Sequence, residues 1–282
     1  MNPFSVPDIV RLALLEDLGP GDLTSALIIP PATIGQARLV TGDFIVVSGL
    51  EAAVETIRQV DPRIIFTPIV RDGDRLAADE VIAEIEGPAA SILTAERLTI
   101  NFLARLSGIA TMTARYVAAA GNPAVRVLDT RETSPGLRIL EKAAVRHGGG
   151  RNGRLALFDG IMIKHNHVVA AGSIAEAIER ARVRAPRTIK IEVEAGDLTQ
   201  LNEALEAGAD IILLKDMPPE TLAGAVKTVD DYFAPRTRRV LLGALGATLD
   251  TINAVAATGV DYIPISAITS SAPAVDISLE WD

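Results

Sequence analysis

The amino-acid sequence predicts an α/β protein in two parts, an α+β module followed by a parallel α/β barrel. Three observations lead there. Aromatic residues make up 4% of the 282-residue chain and hydrophobic residues 49%, so Ala, Val, Leu and Ile carry the apolar content, as in parallel strands covered by Ala/Leu-rich helices. The N-terminal stretch mixes helical spacing with strand-like runs around Gly, Asp and Pro turns. From Ala124 strand-like and helix-like runs alternate, for most units roughly every 22 to 28 residues, the spacing of βα units.

VPDIVRLALLEDL, from Val6, has helical spacing and stops at Gly19-Pro20-Gly21. GQARLVTGDFIVVSGL (from Gly35) reads as strands broken by a Gly-Asp turn, and LEAAVETIRQV (from Leu50) as a helix. RIIFTPIVRDGDRLAADEVIAEIEG (from Arg63) reads as strands around a tight Asp-Gly-Asp turn. From Ser91, SILTAERLTINFLARLSGIATMTARYVAAA is a long helical pattern, interrupted at Ser107-Gly108, that bridges the module to the barrel. The barrel strands are expected at VRVLD (from Val125), GIMIK (from Gly160), TIKIEVE (from Thr188), DIILLK (from Asp210), RRVLLGA (from Arg238) and DYIPISA (from Asp261). Helical runs lie between them, among them AAGSIAEAIERARVRA, LTQLNEALEAG, PPETLAGAVKTVDD and LDTINAVAATG.

A net charge of −9 argues against general binding to nucleic acid or to a membrane surface, while leaving room for a local cationic pocket. The absence of cysteine excludes disulfides, thiolate–zinc sites and cysteine nucleophiles. The N-terminal MNPFSVPDIVRLALLEDLGPGD lacks the basic region and apolar run of a signal peptide. No window approaches the ~20 apolar residues of a membrane span, so the expectation is a cytoplasmic protein.

In a parallel barrel, chemistry gathers at the C-terminal ends of the strands. That rule selects Arg131, Lys164, Glu192 with Glu194, Lys215, and the GALGA and SAITSS turns. Arg131 heads the loop of DTRETSPG, where a planar guanidinium suits two-point capture of a carboxylate or phosphate. An ion pair with Asp129 or Glu132 fits the same residues. HGGGRNGRLALFDGIMIKHNH, His147 to His167, presents backbone N–H groups at three glycines flanked by Arg151 and Arg154. His165 and His167 would share a face on a strand, but with three histidines and no cysteine nothing completes a transition-metal site. IKIEVEAGD places Lys190, Glu192 and Glu194 on one strand face. Inside a barrel, carboxylates need a partner cation: lysine, arginine or a hard ion such as Mg²⁺. There is no Walker A loop and no Rossmann glycine fingerprint. The residues alone describe a barrel enzyme acting on a small polyanion.

LEDLGPGDLTS, LTAERLTINFLARLSGIAT, DTRETSPGLRILEKAAVRHGGGRN, IKHNH, EAGADIILL and TGVDYIPISAITSSAPAVDISL resemble, in order and over essentially the whole chain, the quinolinate phosphoribosyltransferase family. That family is also called carboxylating nicotinate-nucleotide pyrophosphorylase. The resemblance implies an N-terminal α/β sandwich domain (residues 1–112, joined by the tail 273–282) and a C-terminal, incomplete TIM-like α/β barrel (113–272) that holds the active site. It implies homodimers, often hexamers, whose sites borrow residues from the partner's N-terminal domain. The implied reaction joins quinolinate to phosphoribosyl pyrophosphate with Mg²⁺, releases pyrophosphate and CO₂, and gives nicotinate mononucleotide for NAD biosynthesis. Arg97 matches the family arginine that reaches a neighbouring subunit's substrate, and Arg131 the arginine on a substrate carboxylate. Arg154 matches the arginine after the glycine loop, Lys164 the catalytic strand-end lysine, and Glu194 the carboxylate associated with Mg²⁺ and the ribose.

Departures from the pattern cluster in the same pocket. Glu132 stands for a lysine, Gly153 for a histidine, His165 for an aspartate and Lys215 for an aspartate associated with the metal. LLGALGA replaces a leucine-glutamate-x-serine-glycine-glycine segment, so Leu242 stands for the glutamate and Ala244 for the serine, next to Gly243. Ser266 stands for a glycine of the last phosphate-binding turn. Glu132, Lys215, Gly243, Ala244 and Ser266 are therefore expected at the substrate site, and the opposite charge reversals at 132 and 215 are expected to offset each other if the two side chains meet. Three readings remain open from the sequence: the family reaction, a paralogue acting on another heteroaromatic acid or sugar donor, and a non-catalytic ligand-binding protein on the same scaffold.

Overall fold

The computed structural model describes residues 5–234 and 240–281; the arginines that open RRVLLGA, Arg238 and Arg239, lie outside the described residues. The chain forms two compact units. One comprises Met1–Ala114, Glu132–Gly149 and Ala267–Asp282, the other Arg115–Arg131 and Gly150–Ser266.

The first unit begins with two short helices whose starts are set by side-chain caps. The Ser5 hydroxyl accepts from the Asp8 amide at the head of α1 (Val6–Leu18), and Asp22 accepts from the Ser25 amide at the head of α2 (Leu23–Ile28). Antiparallel strands follow in two sheets: β1 (Ile34–Thr41), β2 (Ile45–Val46), β3 (Ile65–Pro68), β4 (Arg75–Leu76) and β5 (Val81–Pro88). In the four-stranded sheet β1 lies between β5 and the C-terminal strand Ile277–Trp281, with β3 beyond β5, and β2 and β4 form a two-stranded sheet. On β5, Ile85 points inward and Glu84 and Glu86 point out, the two-residue period of a half-buried strand. Leu39, Ile82 and Ile85 of this sheet share a core with Leu50, Ala53 and Ile57 of α3 (Leu50–Val60) and with Ile92, Ala95 and Leu103 of α4 (Ala89–Ala120).

Helix α4 runs without a break through Ser107-Gly108, where the sequence suggests an interruption. Ser107 is satisfied by tertiary bonds, accepting from the Ser48 amide (3.0 Å) and donating to the Ser48 carbonyl (3.2 Å). At Gly108 a β-carbon would overlap the carbonyl of Pro273. The Ser-Gly pair is a contact face for neighbouring backbone, which explains residues of poor helix propensity inside a helix. Further along, α5 (Arg138–His147) carries the fully buried Glu141. Its carboxylate pairs with Arg105 of α4 (2.9 Å) and accepts from the Ser134 amide (3.1 Å). Arg105 also donates to the carbonyls of Thr269 and Ala272.

The second unit is a parallel sheet of β6 (Arg126–Leu128), β7 (Ile161–Ile163), β8 (Ile191–Ala195), β9 (Ile211–Lys215), β10 (Leu241–Leu245) and β11 (Tyr262–Pro264). Its order, β6-β11-β10-β9-β8-β7, sets the last strand beside the first, the order of a barrel opened between β6 and β7. The open edge of β6 is bridged at Leu128 by Arg151 of the glycine-rich loop. Outward-facing Val193, Ile212, Leu214 and Leu242 are buried; after α6 (His165–Ala171), α7 (Ile174–Arg184) packs on β7 and β8, α8 (Leu198–Glu206) on β8 and β9, and α9 (Pro219–Phe233) beside α8. Two aspartates fix strand starts at the N-terminal rim. Asp210 and Ile191 bond reciprocally, the Ile191 amide to the Asp210 carboxylate (2.9 Å) and the Asp210 amide to the Ile191 carbonyl (3.0 Å). Asp261 and Leu242 repeat the arrangement at β10 (2.7 and 2.8 Å). Among the described residues no helix is long and apolar enough to cross a membrane.

Substituting Gly108→Ala forces a methyl group against the Pro273 carbonyl. It is expected to destabilise the protein by about 1–3 kcal/mol, the usual cost of overpacking, read as a lower urea midpoint. An unchanged midpoint would show that the contact is soft.

Candidate active site

Alternation along the strands of the second unit sends Lys164, Glu192, Glu194, Gly243 and Tyr262 toward the barrel interior. Register supports this: Met162 lies opposite Glu192, Glu194 opposite Leu213, and Gly243 opposite both Leu213 and Tyr262. Lys164 ends β7 and caps α6, and its ammonium lies 3.7 Å from the Glu194 carboxylate. Two residues earlier on β8, Glu192 accepts a 2.7 Å hydrogen bond from the Tyr262 hydroxyl, which reaches across from β11. Gly243 on β10 leaves the space for that ring, since a β-carbon there would fall on it. Lys190 lies ahead of β8 and is exposed.

The electrostatics follow from this placement. Burial pushes the Glu192 carboxyl above its ordinary value. The Tyr262 hydrogen bond and the charges of Arg154 and Lys164 pull it back, while Glu194 pushes it up. Burial, and then the Glu192 charge, drives the Tyr262 phenol far above the ordinary tyrosine range, so Tyr262 is a donor and not a base. The sequence predicts a cation for each inward carboxylate. Glu194 has one, whereas the direct partner of Glu192 is a phenol. Nothing local in the sequence marks Tyr262; the signal that could find it is a glycine in the middle of an otherwise apolar strand, LLGAL, which marks close approach by another group.

Arg131 follows β6, and its Nε is out of reach of solvent. Asp129, buried two residues before it, accepts from the Asn152 side chain and from the Gly153 amide, both at 2.7 Å. That fastens the glycine-rich loop to the end of β6. Arg151 extends the attachment, its amide donating to Val127 (2.8 Å) and its carbonyl accepting from Asp129 (3.1 Å). Arg154 donates to the Gly160 carbonyl (3.2 Å), and Asp159 folds the loop between them by accepting from the Leu155 and Ala156 amides.

Lys215 is exposed at the end of β9, and Asp216 after it holds a left-handed backbone (φ 54°). Ser266 is half-buried just past β11. Ala244 faces away from the barrel interior and is buried with Leu242 beneath the helices, and the inner face of Gly243 is covered by Tyr262. In the first unit, Arg97 is exposed on α4, and Glu132 is exposed with its carbonyl accepting from the Thr269 hydroxyl (2.7 Å). His165 and His167 lie on α6 and not on a strand. His167 Nδ1 accepts from the Lys164 amide (2.9 Å), which makes it a helix cap. Among the described residues no three His, Asp or Glu side chains gather as a metal cage.

Two family models cover nearly the entire chain. The N-terminal domain of quinolinate phosphoribosyl transferase matches residues 22–107 and the C-terminal domain residues 109–280. The chain belongs to the quinolinate phosphoribosyl transferase family. The probable nicotinate-nucleotide pyrophosphorylase (carboxylating) of Bacillus subtilis (strain 168) is 40% identical over 280 residues, 99% of this chain and 94% of that one. The nicotinate-nucleotide pyrophosphorylase (carboxylating) of Mycobacterium leprae (strain TN) is 37% identical over 279 residues, 97% of this chain and 96% of that one. The solved structure of the nicotinate-nucleotide pyrophosphorylase from Francisella tularensis superposes with a TM-score of 0.91 at 37% identity, covering 98% of this chain and 96% of that one.

Because burial raises the Glu192 carboxyl, the folded protein of this family member holds that proton more tightly than the unfolded chain. The stability it contributes is complete below the unfolded carboxylate range and is lost as pH rises through the folded value. Glu192→Gln cannot ionise, so its stability relative to the parent is expected to improve as pH rises from 4 to 7, in urea melts at a series of pH values. A constant difference across that range would contradict the raised carboxyl.

Proposed function

We infer that the protein is a nicotinate-nucleotide pyrophosphorylase (carboxylating), a pentosyltransferase that joins quinolinate to phosphoribosyl pyrophosphate and releases pyrophosphate and CO₂ to give nicotinate mononucleotide. The observation that carries this reading is the full-length family match, at 40% identity to a relative covered over 94% of its length. The placement of Arg154, Lys164 and Glu194 on one barrel unit supports it.

Quinolinate brings two carboxylates and the donor brings a phosphate and a pyrophosphate, so the site needs several cations at fixed positions. Arg131 and Arg154 are assigned to the acid's carboxylates, where planar guanidinium groups offer paired donors. Lys164, held at 3.7 Å by Glu194, is assigned to the transferring centre as a positioned positive charge. Glu194 is assigned to the ribose side of the donor. A resident Mg²⁺ cage is not what these residues build, since no three such ligands converge among the described residues. An Mg²⁺ carried on the pyrophosphate needs only one or two protein carboxylates, and Glu194 suits that contact. When bound, the ion neutralises charge on the departing pyrophosphate. Arg97, exposed on α4, is assigned to a partner subunit's site in a homodimer. Incubation with quinolinate, phosphoribosyl pyrophosphate and Mg²⁺ tests the assignment directly, with nicotinate mononucleotide as the expected product. Arg131→Ala is expected to raise the quinolinate KM roughly ten- to hundredfold, the worth of one charge-assisted contact; an unchanged KM would remove Arg131 from the acid site.

A second reading, a paralogue acting on another acid or donor, draws on the exposed ammonium of Lys215 at the mouth of β9. Quinolinate binding by calorimetry without product would favour it. The double substitution Glu132→Lys with Lys215→Asp is expected to exceed either single variant in activity if the two reversals compensate, and equal activities would show that they are independent.

A further inference from the structure

Glu192 is a largely buried charged group in the barrel interior to which the reaction assigns no task. It lies on the inner face of β8 two residues below Glu194, and four groups act on it: Tyr262 from β11, Arg154 from the loop before β7, Lys164 from the end of β7, and Glu194 from its own strand. Two of these, Arg154 and Lys164, are cations assigned to substrate. A second carboxylate beside them is a competitor, because an internal anion can occupy the donors that a substrate anion needs. The structure shows where Glu192 is directed instead. Its Oε1 accepts from the Tyr262 hydroxyl at 2.7 Å, Lys164 pairs with Glu194, and Arg154 uses one nitrogen on the Gly160 carbonyl. Glycine at 243 is what lets the tyrosine ring cross β10 to make that bond.

We propose that the Tyr262–Glu192 bridge is a positioning device for the acid site, tying Glu192 to the far wall of the barrel so that Arg154 and Lys164 stay available to the carboxylates of the substrate. Without the phenol, a carboxylate so placed has to find another partner, since a buried and unpaired acceptor is costly. The cations whose charges already act on it are Arg154 and Lys164. Gly243 thereby becomes a determinant of substrate affinity although its inner face is covered by Tyr262. Tyr262 and Gly243 act through Glu192 and are positioning residues. The inference rests on the functional reading above for the task given to Arg154 and Lys164.

The test is steady-state kinetics of the full-length protein with quinolinate, phosphoribosyl pyrophosphate and Mg²⁺. Tyr262→Phe keeps the ring and removes the donor, and its quinolinate KM is expected to rise about tenfold, with kcat within about threefold of the parent. Adding Glu192→Gln removes the competing charge, so the double variant is expected to return the KM to near the parent value. Gly243→Ala displaces the ring and is expected to show the same KM rise and the same rescue by Glu192→Gln. A tyrosine with a merely structural role would give no rescue. If the parent forms nicotinate mononucleotide and Tyr262→Phe leaves the KM unchanged, or the double variant fails to restore it, the bridge proposal is overturned and the functional reading stands. If the parent forms no product, the functional reading falls and this inference falls with it.

Discussion

A carboxylate turned into the middle of a barrel must be given a partner, and much of the inner face is arranged around meeting that demand twice. At Glu194 the partner is the ammonium of Lys164 at the end of the adjacent strand. At Glu192 it is a phenol that comes from β11 and passes over a glycine on β10 to reach β8. The second solution constrains three strands at once: β11 must carry a long donor, β10 must carry no side chain at the crossing, and β8 must keep its register so that the acid points inward. Leaving either acid unpaired would cost several kcal/mol on the usual scale for buried charge.

The architecture was largely legible in the sequence because it rests on short-range patterns. Alternation in IEVEA, the turn at Asp72-Gly73-Asp74, and the repeated strand–helix rhythm after Ala124 each have a local cause that survives folding. Reading failed where tertiary contact overrides local preference. Ser107-Gly108 looks like a helix breaker in isolation, yet it lies in the middle of α4 because Ser48 satisfies the hydroxyl and the Pro273 carbonyl needs the missing side chain. His165 and His167 lie beyond the expected strand GIMIK, where the sequence leaves their placement open; the chain turns helical at Lys164 and one imidazole becomes a cap.

The candidate site was legible in its charges and less so in its geometry. Lys164 and Glu194 could be selected because strand ends of a parallel barrel collect functional groups, and Arg154 because it flanks the glycine-rich loop. The Glu192–Tyr262 bond joins residues 70 positions apart, and no spacing rule connects them. Ala244 illustrates the opposite error. It occupies a position where the family pattern has a serine, yet in this chain its side chain belongs to the packing beneath the helices.

The reciprocal bonds of Asp210 with Ile191 and of Asp261 with Leu242 sit at the opposite rim from the cations, and their effect is felt there. A strand in which one residue near the start has both its amide and its carbonyl latched to a single aspartate cannot slip by a residue, and a slip would turn every inward side chain outward. Register is thus set at one rim and chemistry is displayed at the other. Sequence change at the exposed end of β9, as at Lys215, or just past β11, as at Ser266, is free to alter what the mouth recognises without renegotiating which face of each strand is inside. A lineage with such latches can explore new ligands on an old frame, because a change at the display rim leaves the latched rim untouched.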